Sequence, residues 1–151
     1  MQVIDIMSTK LITVGPKTSV RKVAEILVNH KISGVPVVDE EGKILGIVSE
    51  GDLLCKATSP EIPDGLCILG AVIFYSGVRE YRRAFKKLAA MDAEEIMTAG
   101  AITLPSNAEV GEAAKIMQDK HIKRVPIVDK QNHLLGIVTR QDIVKMLLAE
   151  D

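Results

Sequence analysis

MSTKLITVGPKTSVRKVAEILVNHKISGVPVVDEEGKILGIVSEGDLL, residues Met7 to Leu54, recurs without a gap as MTAGAITLPSNAEVGEAAKIMQDKHIKRVPIVDKQNHLLGIVTRQDIV, residues Met97 to Val144. Each residue of the second copy lies ninety positions after its counterpart. About a third of the aligned positions are identical, and apolar residues replace one another at many of the rest. Two copies of this kind fold alike and pack about an approximate two-fold axis. That packing creates paired, related clefts, which is where small molecules bind.

A chain of 151 residues fits one domain. A single repeat of roughly 50 residues would bury too little surface to be stable alone. The two are therefore expected to share a core, and with 47% apolar residues there is material for it. The expected organisation is a first repeat over 1–54, an insert over 55–94 and a second repeat over 95–151, joined as one module. A net charge of −1 and a pI near 6.3 give no global basic footprint for nucleic acid. Met1-Gln-Val-Ile-Asp5 has no basic stretch leading into an apolar one, and the longest apolar run, Leu66 to Tyr75, is about half of the ~20 residues a bilayer span needs. Cys55 and Cys67 are too few and too isolated for a disulfide framework or a zinc site. These features predict a cytoplasmic protein with reduced thiols and no membrane contact.

Both repeats share one grammar. A short β segment, Leu11 to Val14 or Ala101 to Leu104, is followed by proline and small polar residues. In the second copy Ser106 to Glu109 reads as a capping box. Val20, Val23, Ala24 and Leu27 then keep helical spacing, as do Val110, Ala113, Ala114 and Met117. The strands Val35 to Val38 and Val125 to Val128 lead through the turns Asp39 to Gly42 and Asp129 to Asn132 into Ile44 to Val48 and Leu134 to Val138. A final helix opens with Ser-x-x-Asp or Thr-x-x-Asp. The order is β-α-β-β-α, twice, which makes an α+β module.

The insert has no duplicate. Leu66 to Tyr75 predicts a buried helix. A second helix carries an apolar stripe of Val78, Tyr81, Phe85 and Leu88, with Arg79, Arg82, Arg83, Lys86 and Lys87 on its other positions. It reads as a packing lid with a solvated basic face, as a dimer interface, or as a site for an acidic partner or nucleic acid.

The repeats resemble cystathionine β-synthase (CBS) domains over both copies. The resemblance is carried by Ile-x-x-Val-Pro-Val-Val-Asp at Ile32 to Asp39 and Ile-x-x-Val-Pro-Ile-Val-Asp at Ile122 to Asp129. Each is followed by Leu-Gly-Ile-Val-Ser/Thr-x-x-Asp, at Leu45 to Asp52 and Leu135 to Asp142. It implies a pseudo-two-fold pair that regulates rather than catalyses. Such pairs often bind adenosine-containing ligands (AMP, ADP, ATP or S-adenosylmethionine) and usually form homodimers. The helical insert departs from the compact pattern, and its role does not carry over.

A ribose presents two neighbouring hydroxyls, and a carboxylate can accept from both. Asp52 and Asp142 are placed for this, with Ser49 and Thr139 three residues earlier, where a helix start favours phosphate. The same Ser/Thr-x-x-Asp strings also read as helix caps, and one residue can serve both purposes. The resemblance implies that each cleft combines the early strand and Val-Pro loop of one repeat with the Asp of the other. The first cleft would use Thr13, Ser33, Gly34, Val35, Thr139, Arg140 and Asp142. Gly34 would leave room for adenine, Ile12, Pro36 and Ile137 would supply apolar walls, and Arg140 would pair with phosphate. The second would use Thr103, Lys123, Arg124, Val125, Ser49 and Asp52, where Glu50 replaces that Arg and opposes phosphate. The first reads as the cleaner cleft. Lys123 and Arg124 can equally sit on a solvated loop. No cofactor or metal is required, although ATP would arrive with magnesium.

His30, His121 and His133 are scattered and read as surface histidines, and Met7 and Met97 as core anchors. No catalytic constellation is visible. The expected function is therefore adenine-nucleotide sensing that acts on a protein partner the sequence does not name. The rivals are a ligand-free dimerising scaffold and nucleic-acid binding through the Arg79 to Lys87 helix.

Overall fold

The structure, a computed structural model, describes residues 1–54, 65–68, 71–74, 77–80, 82–83 and 90–149. The first repeat runs through α1 (Val20–Asn29), β1 (Gly34–Val38), β2 (Ile44–Ser49) and α2 (Glu50–Leu54). The second runs through β5 (Thr98–Ala99), β6 (Leu104–Pro105), α4 (Val110–Asp119), β7 (Arg124–Val128), β8 (Leu134–Thr139) and α5 (Arg140–Ala149). Between them lie β3 (Gly65–Ile68), β4 (Ala71–Phe74) and α3 (Ala93–Ile96). The β-α-β-β-α order is present in both copies. Its opening strand is short: β6 pairs in parallel with β7, and in the first repeat only a Val14–Val37 bridge remains.

Local chemistry explains the shared elements. Val20, Val23 and Leu27 lie buried along one face of α1, and Ser19 caps it by accepting from the Lys22 amide at 3.2 Å. The capping box expected at Ser106 to Glu109 does not form. α4 begins immediately after Glu109, whose side chain makes no cap bond, and Ser106 sits in the preceding turn. The hairpins between β1 and β2 and between β7 and β8 share one device. Oδ1 of Asp39 accepts from the Glu41 and Lys43 amides, and Oδ1 of Asp129 from those of Gln131 and His133, all at 2.9 Å. Gly42 and Asn132 close the turns at φ +82° and +69°, where glycine and asparagine are tolerated best. His133 also bonds Asp129 through Nδ1, so it is not a bare surface histidine. The His133 amide and imidazole hold the Asp129 carboxyl below the usual carboxylate range.

In place of one shared core, the buried side chains among the described residues gather in two cores that exchange segments. The first gathers Val14, Val20, Val23, Leu27, Val35, Val37 and Val48 with Ala90, Ala93 and Ile96, residues that lead into and open the second repeat. The second gathers Leu104, Ala108, Val110, Ala113, Met117, Val125, Ile127 and Val138 with Val3, from the start of the first repeat. Matching backbone bonds fix the exchange. The Ala93 amide donates to the Thr18 carbonyl and the Val3 amide to that of Ala108, each at 2.8 Å; the Val20 amide donates to Met91 and the Val110 amide to Met1, each at 3.0 Å. Further along, β5 pairs with β2, and Ser8 bridges Ile137. Met97 and Met7 anchor these crossings. Their sulfurs lie over Gly46 and Gly136, where an added Cβ would come within 2.7 and 2.5 Å of them. The hairpin tips also join, with the Ile44 amide donating to Asn132 and the Leu134 amide to Gly42, at 3.1 Å each.

The insert differs from the helix expected over Leu66 to Tyr75. That stretch contains the antiparallel pair β3 and β4, with Gly65 opposite Phe74 and Ile68 opposite Ala71. Gly65–Ile68 and Ala71–Phe74 are each of strand length, and Ile68, Val72, Ile73 and Phe74 are residue types that favour strands. Residues 78–80 and 82–83 are helical, in keeping with the second predicted helix. Tyr81, Phe85, Lys86, Lys87 and Leu88 lie outside the described residues, as do Cys55 and Glu61. Among the described residues no helix is long and apolar enough to cross a membrane.

Candidate functional site: the inter-repeat cleft

Because β5 of the second repeat joins the sheet of the first, the start of α2 faces the loop between α4 and β7. The space between them is a cleft of about 390 Å³. From the first repeat come Ser33, Ile47, Ser49, Glu50, Gly51 and Asp52; from the second come Thr98, Ile102, Ile122, Lys123 and Arg124, among others. Its centre is Asp52, a carboxylate only 5% exposed. Oδ2 of Asp52 accepts from the Ser49 amide at 2.8 Å and from its hydroxyl at 3.2 Å, while Thr98 donates to Oδ1 at 3.3 Å. Asp52 is thus a helix cap that also lines the cleft.

Arg124 stands opposite. Its guanidinium crosses from the second repeat and donates to the Ser33 hydroxyl. Burial pushes its pKa down, while the charges of Glu50 and then Asp52 act the other way. The cleft therefore holds two carboxylates and two cations, Lys123 included, beside the apolar side chains of Ile47, Ile102 and Ile122. Chemically, such a wall can accept from hydroxyls at one end, hold an anion at the other and pack a flat ring between.

Ser49, Asp52, Lys123 and Arg124, expected in one cleft, are brought together. Thr103 is not among its lining residues; Thr98 takes that place. The signal for Thr98 was available, since Met97-Thr98 matches Met7-Ser8, but the crossing of β5 to the other sheet leaves no mark in a single sequence. His121, expected as a surface histidine, is exposed and also lines the cleft. The side chains of Val35 and Val125 are fully buried in the two cores, because β1 and β7 are covered on both faces. Pro36 is buried too, and pairs across the sheet with Ile47. Ser33, assigned to the first cleft, lines the second. Gly34 is flanked not by open space for a ring but by the Arg124 guanidinium.

The surroundings of Asp142, where the other cleft was expected, differ. Oδ2 of Asp142 accepts from the Thr139 amide at 2.8 Å and from its hydroxyl at 2.7 Å, and the Asp142 amide donates back to Thr139 Oγ1 at 3.3 Å. That is a reciprocal capping box at the start of α5. Arg140 is turned away from the phosphate role expected of it. Its Nε donates to the Ile122 carbonyl at 3.1 Å and its Nη2 to that of Met117 at 3.3 Å, so it closes the end of α4 in its own repeat. Thr13 is exposed, and Ile137, which bonds Ser8, is half-buried. The expectation that this would be the cleaner cleft loses the cation it relied on.

The CBS domain family model matches residues 3–57 and 93–149. An uncharacterised protein of Methanocaldococcus jannaschii is 30% identical over 98% of this chain and 92% of its own length. The chloroplastic CBS domain-containing protein CBSX1 of Arabidopsis thaliana is 29% identical, over 89% of this chain but only 58% of its own. Among solved structures, CBSX2 in complex with AMP superposes with a TM-score of 0.83 at 27% identity, covering 99% of this chain and 97% of that one. The CBS domain pair of protein MJ0100, in complex with 5′-methylthioadenosine and S-adenosyl-L-methionine, gives 0.74 at 28% identity, covering 100% and 98%. With two matched segments, one per repeat, and the same α+β pair in the solved structures, this chain belongs to the CBS domain family.

Proposed function

We propose that this chain is a regulatory module that binds an adenine nucleotide, or a related adenosyl ligand, in the cleft between Asp52 and Arg124. One observation carries the reading: a carboxylate of one repeat faces the cations of the other across a cleft within the size range of small-molecule sites. Asp52 would accept from the ribose hydroxyls, Lys123 and Arg124 would meet the phosphate, and Ile47, Ile102 and Ile122 would flank the base. The AMP bound by CBSX2 and the methylthioadenosine and S-adenosylmethionine bound by the MJ0100 pair support this ligand class. The Asp142 cleft, with Thr13 and Thr139, is the second and weaker candidate. The role is sensing rather than turnover in the cytoplasm, and ATP would bring its own magnesium. Binding moves a partner's activity only if the ligand favours one conformation of the module.

Calorimetry and thermal melting test it. At ligand near 100 times its dissociation constant, stability should rise by roughly 2.7 kcal/mol, about 5–10 °C for a domain of this size. Absence of both heat and shift with AMP, ADP, ATP and S-adenosylmethionine would leave a ligand-free scaffold.

The module is further proposed to pair as a homodimer through its last helices. Leu54 at the end of α2 and Val144, Leu147 and Leu148 on α5 stand at least half exposed, apolar side chains that a second copy would cover. Sedimentation should show a dimer that Leu147→Glu weakens; a monomeric parent protein ends this part of the proposal.

A further inference from the structure

Positions 34 and 124 are equivalent in the two repeats, yet one holds glycine and the other arginine. They open β1 and β7, opposite Ser49 and Thr139 respectively. Their side chains do not mirror one another. Arg124 reaches across the pseudo-two-fold axis, bonds Ser33 and lies directly on the backbone of Gly34, where an added Cβ would overlap Cζ and Nη1 of the guanidinium. Two arginines here would collide, and two glycines would leave the place empty. A glycine and an arginine fit as seat and knob.

The seat faces the cleft. Ser33, Arg124, Glu50 and Asp52 all line it, and the guanidinium is half-buried near both carboxylates. A guanidinium held by a hydroxyl and a flat backbone surface loses little further freedom when an anion reaches it. Such a group discriminates by charge. The mirror position cannot, because it carries no side chain and Arg140 is engaged with the carbonyls of Met117 and Ile122.

We infer that Gly34 and Ser33 are positioning residues that hold Arg124 of the other repeat as the charge-selecting element of the Asp52 cleft. This rests on the adenosine reading above and adds to it a preference for phosphorylated over uncharged adenosine compounds. It also makes the anion site a product of both repeats. Any movement of one against the other unseats Arg124, and, by linkage, an anionic ligand reinforces their contact.

Calorimetry with AMP and with 5′-methylthioadenosine, its uncharged counterpart, tests the inference on four proteins. The unaltered chain should bind AMP more tightly. Arg124→Gln should weaken AMP roughly ten- to hundredfold, the value of a charged hydrogen bond, and leave methylthioadenosine nearly unchanged. Gly34→Ala should do the same by filling the seat, and in the Arg124→Gln background it should have no further effect. The atoms nearest the added methyl belong to the end of a long side chain that can turn aside, so the variant is expected to fold, and melting checks this. Equal losses for both compounds in Gly34→Ala, or none for AMP, overturn the positioning role while leaving the adenosine site standing. Binding of neither compound to the unaltered chain overturns both.

Discussion

Replacing Val3 by Asp is expected to unfold the core of the second repeat while the first keeps most of its protection. Val3 is fully buried among Leu104, Val110, Ala113, Val125 and Ile127. An unpaired carboxylate there costs several kcal/mol, a large share of the stability of any domain. The reciprocal change is Ile96→Ala, which empties a fully buried site among Val14, Val23, Val35 and Val48 and should cost about 2–5 kcal/mol. Amide hydrogen exchange separates the two. Val3→Asp should lower protection along α4, and Ile96→Ala along α1. If each variant instead disturbed the repeat that it leads in sequence, the exchange of segments between cores would be wrong.

That exchange marks the boundary of what one sequence discloses. The duplicated strings fix helices, strands and turns, because amphipathic spacing, Asp-led turns and Ser/Thr-x-x-Asp starts are local chemistry. The CBS resemblance supplied the pairing of Asp52 with Lys123 and Arg124. Three things stayed hidden. Val3, Ala93 and Ile96 are apolar residues in short helical turns, and nothing in their neighbourhood says which core they enter. Val35 and Val125 sit beside the Val-Pro loop, so sequence placed them in the clefts, although strands covered on both faces bury them. Arg140 and Arg124 look interchangeable on paper. One spends its donors on the carbonyls at the end of its own helix and the other crosses the axis, a choice set by whether the opposing residue leaves a seat. The insert misled for a different reason: a run of ten mostly apolar residues carries no period that distinguishes a buried helix from two short strands.

Asp52→Ala is expected to lower affinity for AMP about a hundredfold or more while costing only about 1 kcal/mol of stability. The carboxylate would accept from both ribose hydroxyls, and losing hydrogen bonds to a charged group worth roughly 1.5–3 kcal/mol each removes at least two decades of affinity. The stability loss is mainly that of a helix cap, since Oδ2 holds the Ser49 amide, with a smaller part from the long Thr98 bond to Oδ1. Asp142→Ala is the control. It removes an equivalent cap at the start of α5, with Thr139 in the place of Ser49, and leaves the Asp52 cleft intact. Its melting point should fall by a similar amount with little change in AMP affinity at the Asp52 cleft. A second ligand makes the assignment specific to ribose: the unaltered protein should prefer AMP to its 2′-deoxy form, and Asp52→Ala should lose that preference. Should Asp52→Ala bind AMP as tightly as the parent, or should both alanine variants weaken it alike, Asp52 is a cap alone and the ribose lies elsewhere.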